Sequence, residues 1–297
     1  MGNPVTWARM RTFLAVVDLG SVRAAAAHLH VTEPAVSSAV TQIERHLGAE
    51  LFIRAGRGIR LSPAGATYAG YCRTMLGLAD EAESAVRAAG TARVRIGAVA
   101  TAAETVLPRL LATFRAQHPE VELRLSVLPR DELFVELAHH ETDLAIAGRP
   151  PRGSGLISVA ERPNRLIVVA GASYDVPPPT ATWLLRGAGS GTRETCLALL
   201  EQHGWQPPVL TLGTHGAVVA AAKEGLGLTV VHADAVSTAL GERTLRKVPV
   251  SGTPLDRPWH VVTNATPSPA AGLFLEHACD SGQPGEVRFH PRIRPRG

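Results

Sequence analysis

Lysine is nearly missing from this 297-residue chain: Lys223 and Lys247 are the only two among 30 basic residues, so arginine carries the positive charge. Cysteine is scarce as well. Cys72, Cys196 and Cys279 are odd in number and far apart, which fits neither a disulfide framework nor a zinc site and points to a reducing cytoplasm. No run of about 18 apolar residues occurs, so no membrane-spanning helix and no membrane partner are expected. Neither charge sign dominates: 30 basic against 26 acidic residues leave +4, a mild leaning toward an anionic partner. Enzyme signatures are missing too. No Gly-x-Gly-x-x-Gly follows the first strand, no His/Cys cluster has metal spacing, and no Ser-His-Asp set has motif context. No cofactor or metal is therefore expected. The opening "MGNPVT" fits a myristoylation pattern, but a helix start at Thr6 follows at once and the match is set aside.

What is present suggests about two domains, with 45% hydrophobic residues for their cores. Thr6 can cap a helix with Trp7, Met10, Phe13, Leu14 and Val17 on one stripe, ended by Gly20. Ser21 caps a second, whose small face is Ala25, Ala26 and Leu29. After a three-residue break, Thr32 caps a third, with Pro34 in its first turn, where a missing N–H costs nothing. Val36, Val40, Ile43 and Leu47 make its buried stripe. Its other side shows Glu33, Ser37, Ser38, Thr41 and Arg45, short and polar, as a helix lying in the DNA major groove requires. Helix, tight turn, helix is the helix-turn-helix geometry, with the second helix as reader. Next, "ELFIRAGRGIRLSPAG" reads as a basic β-hairpin, a wing whose Arg54, Arg57 and Arg60 can meet phosphates. The expected DNA-binding set is Arg23, Thr32, Glu33, Pro34, Ser37, Ser38, Thr41, Arg45, Arg54 and Arg57, and the partner is double-stranded operator DNA.

From Ser62, with Pro63 in the first turn, a long helix carries Ala64, Tyr68, Tyr71, Met75, Leu78, Ala82 and Ala85 at alternating steps of 4 and 3. That heptad seam predicts a dimer-forming helix, with Tyr68, Tyr71, Met75, Leu78 and Ala82 as its contacts. Two-site DNA readers need two copies. A homodimer, or a dimer of dimers making a homotetramer, is expected.

The segment "MRTFLAVVDLGSVRAAAAHLHVTEPAVSSAVTQIERHLGAELFIRAGRGIRLSPAG" resembles the winged helix-turn-helix of the LysR-type transcriptional regulators. The anchors are Phe13-Leu14, Gly20-Ser21, Ala25-Ala26, Leu29, Pro34-Ala35-Val36-Ser37, Ile43-Glu44, Leu47-Gly48, Leu51-Phe52, Arg54, Leu61 and Gly65. Two positions depart from the family pattern: Glu33 replaces the usual Gln, and Ser38 stands where Arg is common. The resemblance therefore implies DNA binding and dimerisation but leaves the preferred operator bases open.

Beyond Gly90 the texture changes to alternating strands and helices. "RVRIGAVA", a helix over 101–118, "VELRLSVL", a helix over 131–140 and "DLAIAG" make one α/β unit with a mostly parallel sheet. A second starts near Asn164 with "RLIVVAG" and "TWLLRGAG", and the chain returns through "WHVVTN" and a helix over 269–279. Two lobes joined by two crossing strands are similar to the periplasmic-binding-protein fold, and the LysR resemblance implies the same. The expected protein is multidomain. Residues 1–61 form a winged helix-turn-helix domain and 62–90 a linker and dimerisation helix. Residues 91–280 form an α/β two-lobed effector domain, with lobe I at 91–163 and 264–280 and lobe II at 164–263; 281–297 read as a flexible basic tail.

Ligand candidates lie where strands give way to helices, the edge that faces the crevice. Thr101, with Ala102, is expected at one helix cap, Ser190, Gly191 and Thr192 at a second, and Thr214 and His215 at a third. Helix N-termini favour anions, and Arg130 and Arg149 after two other strands add positive side chains. The loop "GAGSGTRE" resembles the Gly-Ser-Gly-Thr-Arg loop of LysR regulators that answer to small anions or phosphorylated metabolites. The reading is a cytoplasmic transcription factor, not an enzyme, controlled by a small anionic effector. The competing classes are a nucleotide-using enzyme and a transporter's solute-binding protein. The first lacks its motifs, and the second has no use for a winged reader.

Overall fold

The computed structural model describes residues 5–55, 58–87, 93–280, 282–283 and 287–292. The chain divides into two compact units, Met1–Val86 with His139–Glu141, and Arg87–Ala138 with Thr142–Gly297.

The first unit contains α1 (Trp7–Leu19), α2 (Val22–Leu29), α3 (Glu33–Leu47), β1 (Phe52–Ala55), β2 (Gly58–Leu61) and α4 (Pro63–Arg87). Thr6, Ser21 and Thr32 cap the first three helices through their hydroxyls, which accept from the N–H groups of Arg9, Ala24 and Ala35. Such caps each contribute on the order of 1 kcal/mol. Phe13 is fully buried, with the rings of Phe52 and Tyr68 at 5.4 and 5.2 Å. Leu47, expected on the buried stripe of α3, is exposed, because Gly48 turns the chain away at the next residue. The Glu44 carboxylate accepts from the N–H of Leu51 at 2.8 Å and of Phe52 at 3.4 Å, fixing where the hairpin leaves α3. Ser62 Oγ accepts from the Gly65 N–H at 2.9 Å and donates to Glu50 O at 2.6 Å. Gly65 is required, since a Cβ there would lie 2.0 Å from Leu51 O.

The heptad seam of α4 divides. Tyr68 and Met75 pack onto the unit's own core beside Ala69 and Cys72, while Tyr71 and Leu78 are 66% and 45% exposed and Ala82 is exposed. His139–Glu141 close on the same helix: a Cβ on Gly77 would meet His139 O at 2.3 Å, and His140 Nδ1 lies 2.8 Å from Glu81.

The second unit has two lobes. In the first, β3 (Arg93–Ala98), α5 (Ala100–Thr105), α6 (Leu107–Gln117), β4 (Glu122–Val127), α7 (Arg130–Ala138), β5 (Leu144–Ala147) and β6 (Ile157–Arg162) precede the crossing. Lobe II contains β7 (Arg165–Gly171), β8 (Trp183–Arg186), α8 (Gly191–Gln202), β9 (Val209–Gly213), α9 (His215–Lys223) and β10 (Thr229–His232). A short 3-10 turn, α10 (Ser237–Gly241), β11 (Leu245–Lys247) and β12 (Leu255–Asp256) complete it. The chain returns through β13 (Trp259–Thr263), α11 (Pro269–Cys279) and β14 (His290–Pro291).

Four expectations change here. The six-stranded sheet runs β14-β6-β13-β5-β3-β4; β13 pairs with β5 and β6, so residues 259–263 belong to lobe I and the crossing falls near Arg257–Pro258. The sheet of the first lobe is mixed and not mostly parallel: β3 pairs parallel with β4 and β5, but β13 takes β5 and β6, and β14 takes β6, antiparallel; in lobe II β7 takes β10, β11 and β12 antiparallel while β8 and β9 pair parallel. The helix expected over 101–118 breaks at Val106, because Pro108 cannot donate to residue 104 and its ring clashes with that carbonyl. The supposed flexible tail contributes Val287 and Phe289 to the lobe I core and β14 to its sheet.

Candidate DNA interface and inter-lobe cleft

On the first unit, α3 buries Val36, Val40 and Ile43 and turns Glu33, Pro34, Ser37, Ser38, Thr41 and Arg45 to solvent. Thr32 is exposed at the cap, as are Arg23 on α2 and Arg54 on β1; Arg57 lies outside the described residues. Ser38 Oγ accepts from Gln42 Nε2 at 3.0 Å. The result is a largely polar helix surface beside a hairpin, with its apolar stripe turned into the core.

Between the two lobes of the second unit lies a cleft of about 840 Å³, within the usual range for small-molecule sites. Of the expected effector residues, Thr101, Arg130, Arg149, Ser190, Gly191 and Thr192 line it. Ala102 and His215 are not on its wall: Ala102 sits in the lobe I core, and His215 is buried as the first residue of α9. Thr101 is not a cap. Val99 holds that position without a side-chain bond, and Thr101 Oγ1 instead accepts from Arg186 Nη1 at 3.3 Å, across the lobes. Ser190 does cap α8, accepting from the Arg193 N–H at 3.5 Å. Arg130 donates from Nη2 to Arg149 O at 2.9 Å.

Sequence reading missed Arg186, His232, Arg257 and His260, which also line the cleft. Arg186 ends β8 just before the glycine-rich loop, at a strand end of the kind that faces the crevice. Its Nε is buried without a hydrogen-bond partner among the described residues. Burial pulls its pKa down, partly opposed by Glu104. His232 stacks on Trp259 with ring centroids 4.4 Å apart and shares a hydrogen bond with Asn164. Burial, with the charges of His215, Arg186 and Arg257 beside it, lowers its pKa to about 3. His215 is lowered to about 4 by burial and by Arg186. His260, bonded to Ser158 at 2.8 Å, is lowered to about 4, chiefly by burial and against the pull of Glu161. All three are neutral near pH 7, so the positive charge of the cleft is arginine's. Among the described residues no group of three His, Cys, Asp or Glu side chains could hold a metal ion, and no helix is long and apolar enough to cross a membrane.

A winged helix-turn-helix with a long helix, followed by a two-lobed domain with a ligand-sized cleft, defines a ligand-responsive DNA-binding regulator. Residues 7–66 match the model of the bacterial regulatory helix-turn-helix proteins of the lysR family, and residues 87–282 match that of the LysR substrate binding domain. The chain belongs to the LysR family of transcriptional regulators. It is 32% identical over 97% of its length to the RuBisCO operon transcriptional regulator of Allochromatium vinosum, covering 99% of that protein. The solved structure of the LysR family regulator CbnR superposes with a TM-score of 0.64 at 21% identity, over 92% of this chain and 98% of that one. The regulatory domain of CcmR from Synechocystis PCC6803, solved in complex with 2-PG, gives a TM-score of 0.56 at 26% identity. That match covers 62% of this chain and 94% of the CcmR domain.

Proposed function

We propose that the cleft binds a small anionic metabolite and that its occupancy controls operator binding by a cytoplasmic homodimer or dimer of dimers. The observation that carries this reading is Arg186, a half-buried cation whose Nε has no hydrogen-bond partner among the described residues and whose Nη1 reaches Thr101 across the lobes. A buried donor left unpaired costs about 1–3 kcal/mol, and a carboxylate or phosphate removes that cost while neutralising the charge. Ser190, Gly191 and Thr192 at the start of α8, and Arg130 and Arg149 on the facing lobe, line the same space. The similar CcmR regulatory domain was solved in complex with 2-PG, which supports a small-molecule effector. Closure of the two lobes on an anion would then shift the population of DNA-binding arrangements. At a hundred times its dissociation constant such a ligand adds about 2.7 kcal/mol to stability. In a thermal-shift screen of small metabolites, the strongest stabilisers are expected to be anions, and Arg186→Met combined with Ser190→Ala should remove the shift. An uncharged best ligand, or an unchanged response of the double variant, would overturn the reading.

The exposed stripe of α4, Tyr71, Leu78 and Ala82, is the surface proposed to join two copies. Leu78→Asp places an unpaired charge in that contact. Sedimentation should show at least a tenfold weaker dimer, with the second unit's circular dichroism unchanged. An oligomer identical to the parent's would remove α4 from the interface.

A further inference from the structure

The outward face of α3 is poor in cations. Along it come Glu33, Ser37, Ser38, Thr41 and Gln42, and the first positive side chain on the helix is Arg45. Arg45 is 12 residues from Glu33, roughly 18 Å along the axis, well beyond the screening distance of about 8 Å at physiological salt. Glu33 is exposed, and no hydrogen bond or ion pair engages its carboxylate among the described residues. The nearby Ser38 Oγ already accepts from Gln42 Nε2.

A free carboxylate at the end of a reading helix has two possible fates on DNA. Facing phosphate, it repels every sequence alike. Facing the major groove, it needs a donor, and only the amino groups of cytosine and adenine supply one. These two are not equivalent. The adenine amino group lies between adenine N7 and thymine O4, both acceptors, so either carboxylate oxygen not in use meets repulsion. The cytosine amino group has an acceptor, guanine O6, on one side only; its other neighbour is the C5–H edge.

We propose that Glu33 is a base-selecting residue, accepting a hydrogen bond from N4 of a cytosine at one position in each half-site and penalising the other bases there. The proposal rests on α3 being the reading helix. A first-turn acidic residue also complements the helix dipole, but that role is blind to operator sequence.

The test is selection from random duplexes with the full-length protein, its Glu33→Gln variant, and Ser37→Ala and Thr41→Ala as controls. The parent should enrich cytosine at one position per half-site. Glu33→Gln should lose that preference or move it to adenine, which Gln contacts through N6 and N7, with the remaining motif intact. On a selected operator, changing that cytosine to thymine should weaken the parent roughly tenfold or more and the variant about twofold or less. The proposal falls if Glu33→Gln selects the parent's motif, or binds operator and random DNA more tightly by one common factor, the mark of phosphate repulsion alone. If Ser37→Ala and Thr41→Ala also reproduce the parent's motif, the fault lies with α3 as the reader.

Discussion

Lowering the pH from 7 to 5 is expected to remove on the order of 5 kcal/mol of stability from the second unit. His215, His232 and His260 are buried with pKa values near 4, 3 and 4, whereas an unfolded chain protonates at about 6.5. Above about pH 6.5 both states are neutral there and nothing is lost. As pH falls through that value the unfolded state takes up protons that the native state refuses, so stability declines until the folded pKa values are reached. Each histidine forfeits about 2 kcal/mol by pH 5, and three together approach the whole stability of a marginal domain. Burial is the first cause in all three, and neighbouring cations add to it: Arg186 beside His215 and His232, Arg257 beside His232, and Arg149 and Arg292 near His260. Urea unfolding followed by tryptophan fluorescence at pH 7, 6 and 5 measures the slope. His215→Gln with His260→Gln should cut it to roughly one third. A midpoint that does not move between pH 7 and 5 would show that these rings are not held neutral.

The same neutrality bears on function. Since the histidines add no charge between pH 6 and 8, affinity for an anion in the cleft should be set by Arg186 and its arginine neighbours across that range.

Local signals were legible in the sequence. Thr6, Ser21 and Thr32 cap their helices as their positions foretold, because a cap is decided within four residues. The Val36–Val40–Ile43 stripe fixed which face of α3 is buried, and hence which polar residues are available to DNA. Long-range pairing was not legible. The sequence around Thr101 suggests a cap, but its partner, Arg186, lies 85 residues away, and no local pattern joins them. The apolar run of β13 marked a strand without saying which lobe's sheet would take it. The seam of α4 marked apolar positions, yet Tyr68 and Met75 turned onto their own domain, a choice made by packing and not by spacing. The break at Val106 is a different kind of miss: Pro108 was a visible signal that strong flanking helix formers masked.

Replacing Phe289 with Ala should destabilise lobe I by about 3–5 kcal/mol, the range for a fully buried aromatic. The segment around it, "SGQPGEVRFHPRIRPRG", is rich in Gly, Pro and Arg and reads as a solvated tail. Inside it, Val287 and Phe289 are two residues apart, the spacing that puts two side chains on one face of an extended chain. Both are buried, Phe289 completely, in the cluster that contains Phe114, Phe274 and Trp259. The backbone is tied down as well. The Phe289 N–H donates to Ala278 O and the Arg292 N–H to Val159 O, each at 2.9 Å, and β14 pairs antiparallel with β6. Removing the ring leaves a cavity that a segment tied to both α11 and β6 cannot readily close by collapse. Arg292→Ala is the contrasting change: its 3.4 Å pair with Glu161 is on the surface, so about 1 kcal/mol or less is expected. Urea unfolding of the full-length chain separates the two. A Phe289→Ala midpoint equal to that of Arg292→Ala would mean that the segment leaves the core in solution, and that lobe I is complete without it.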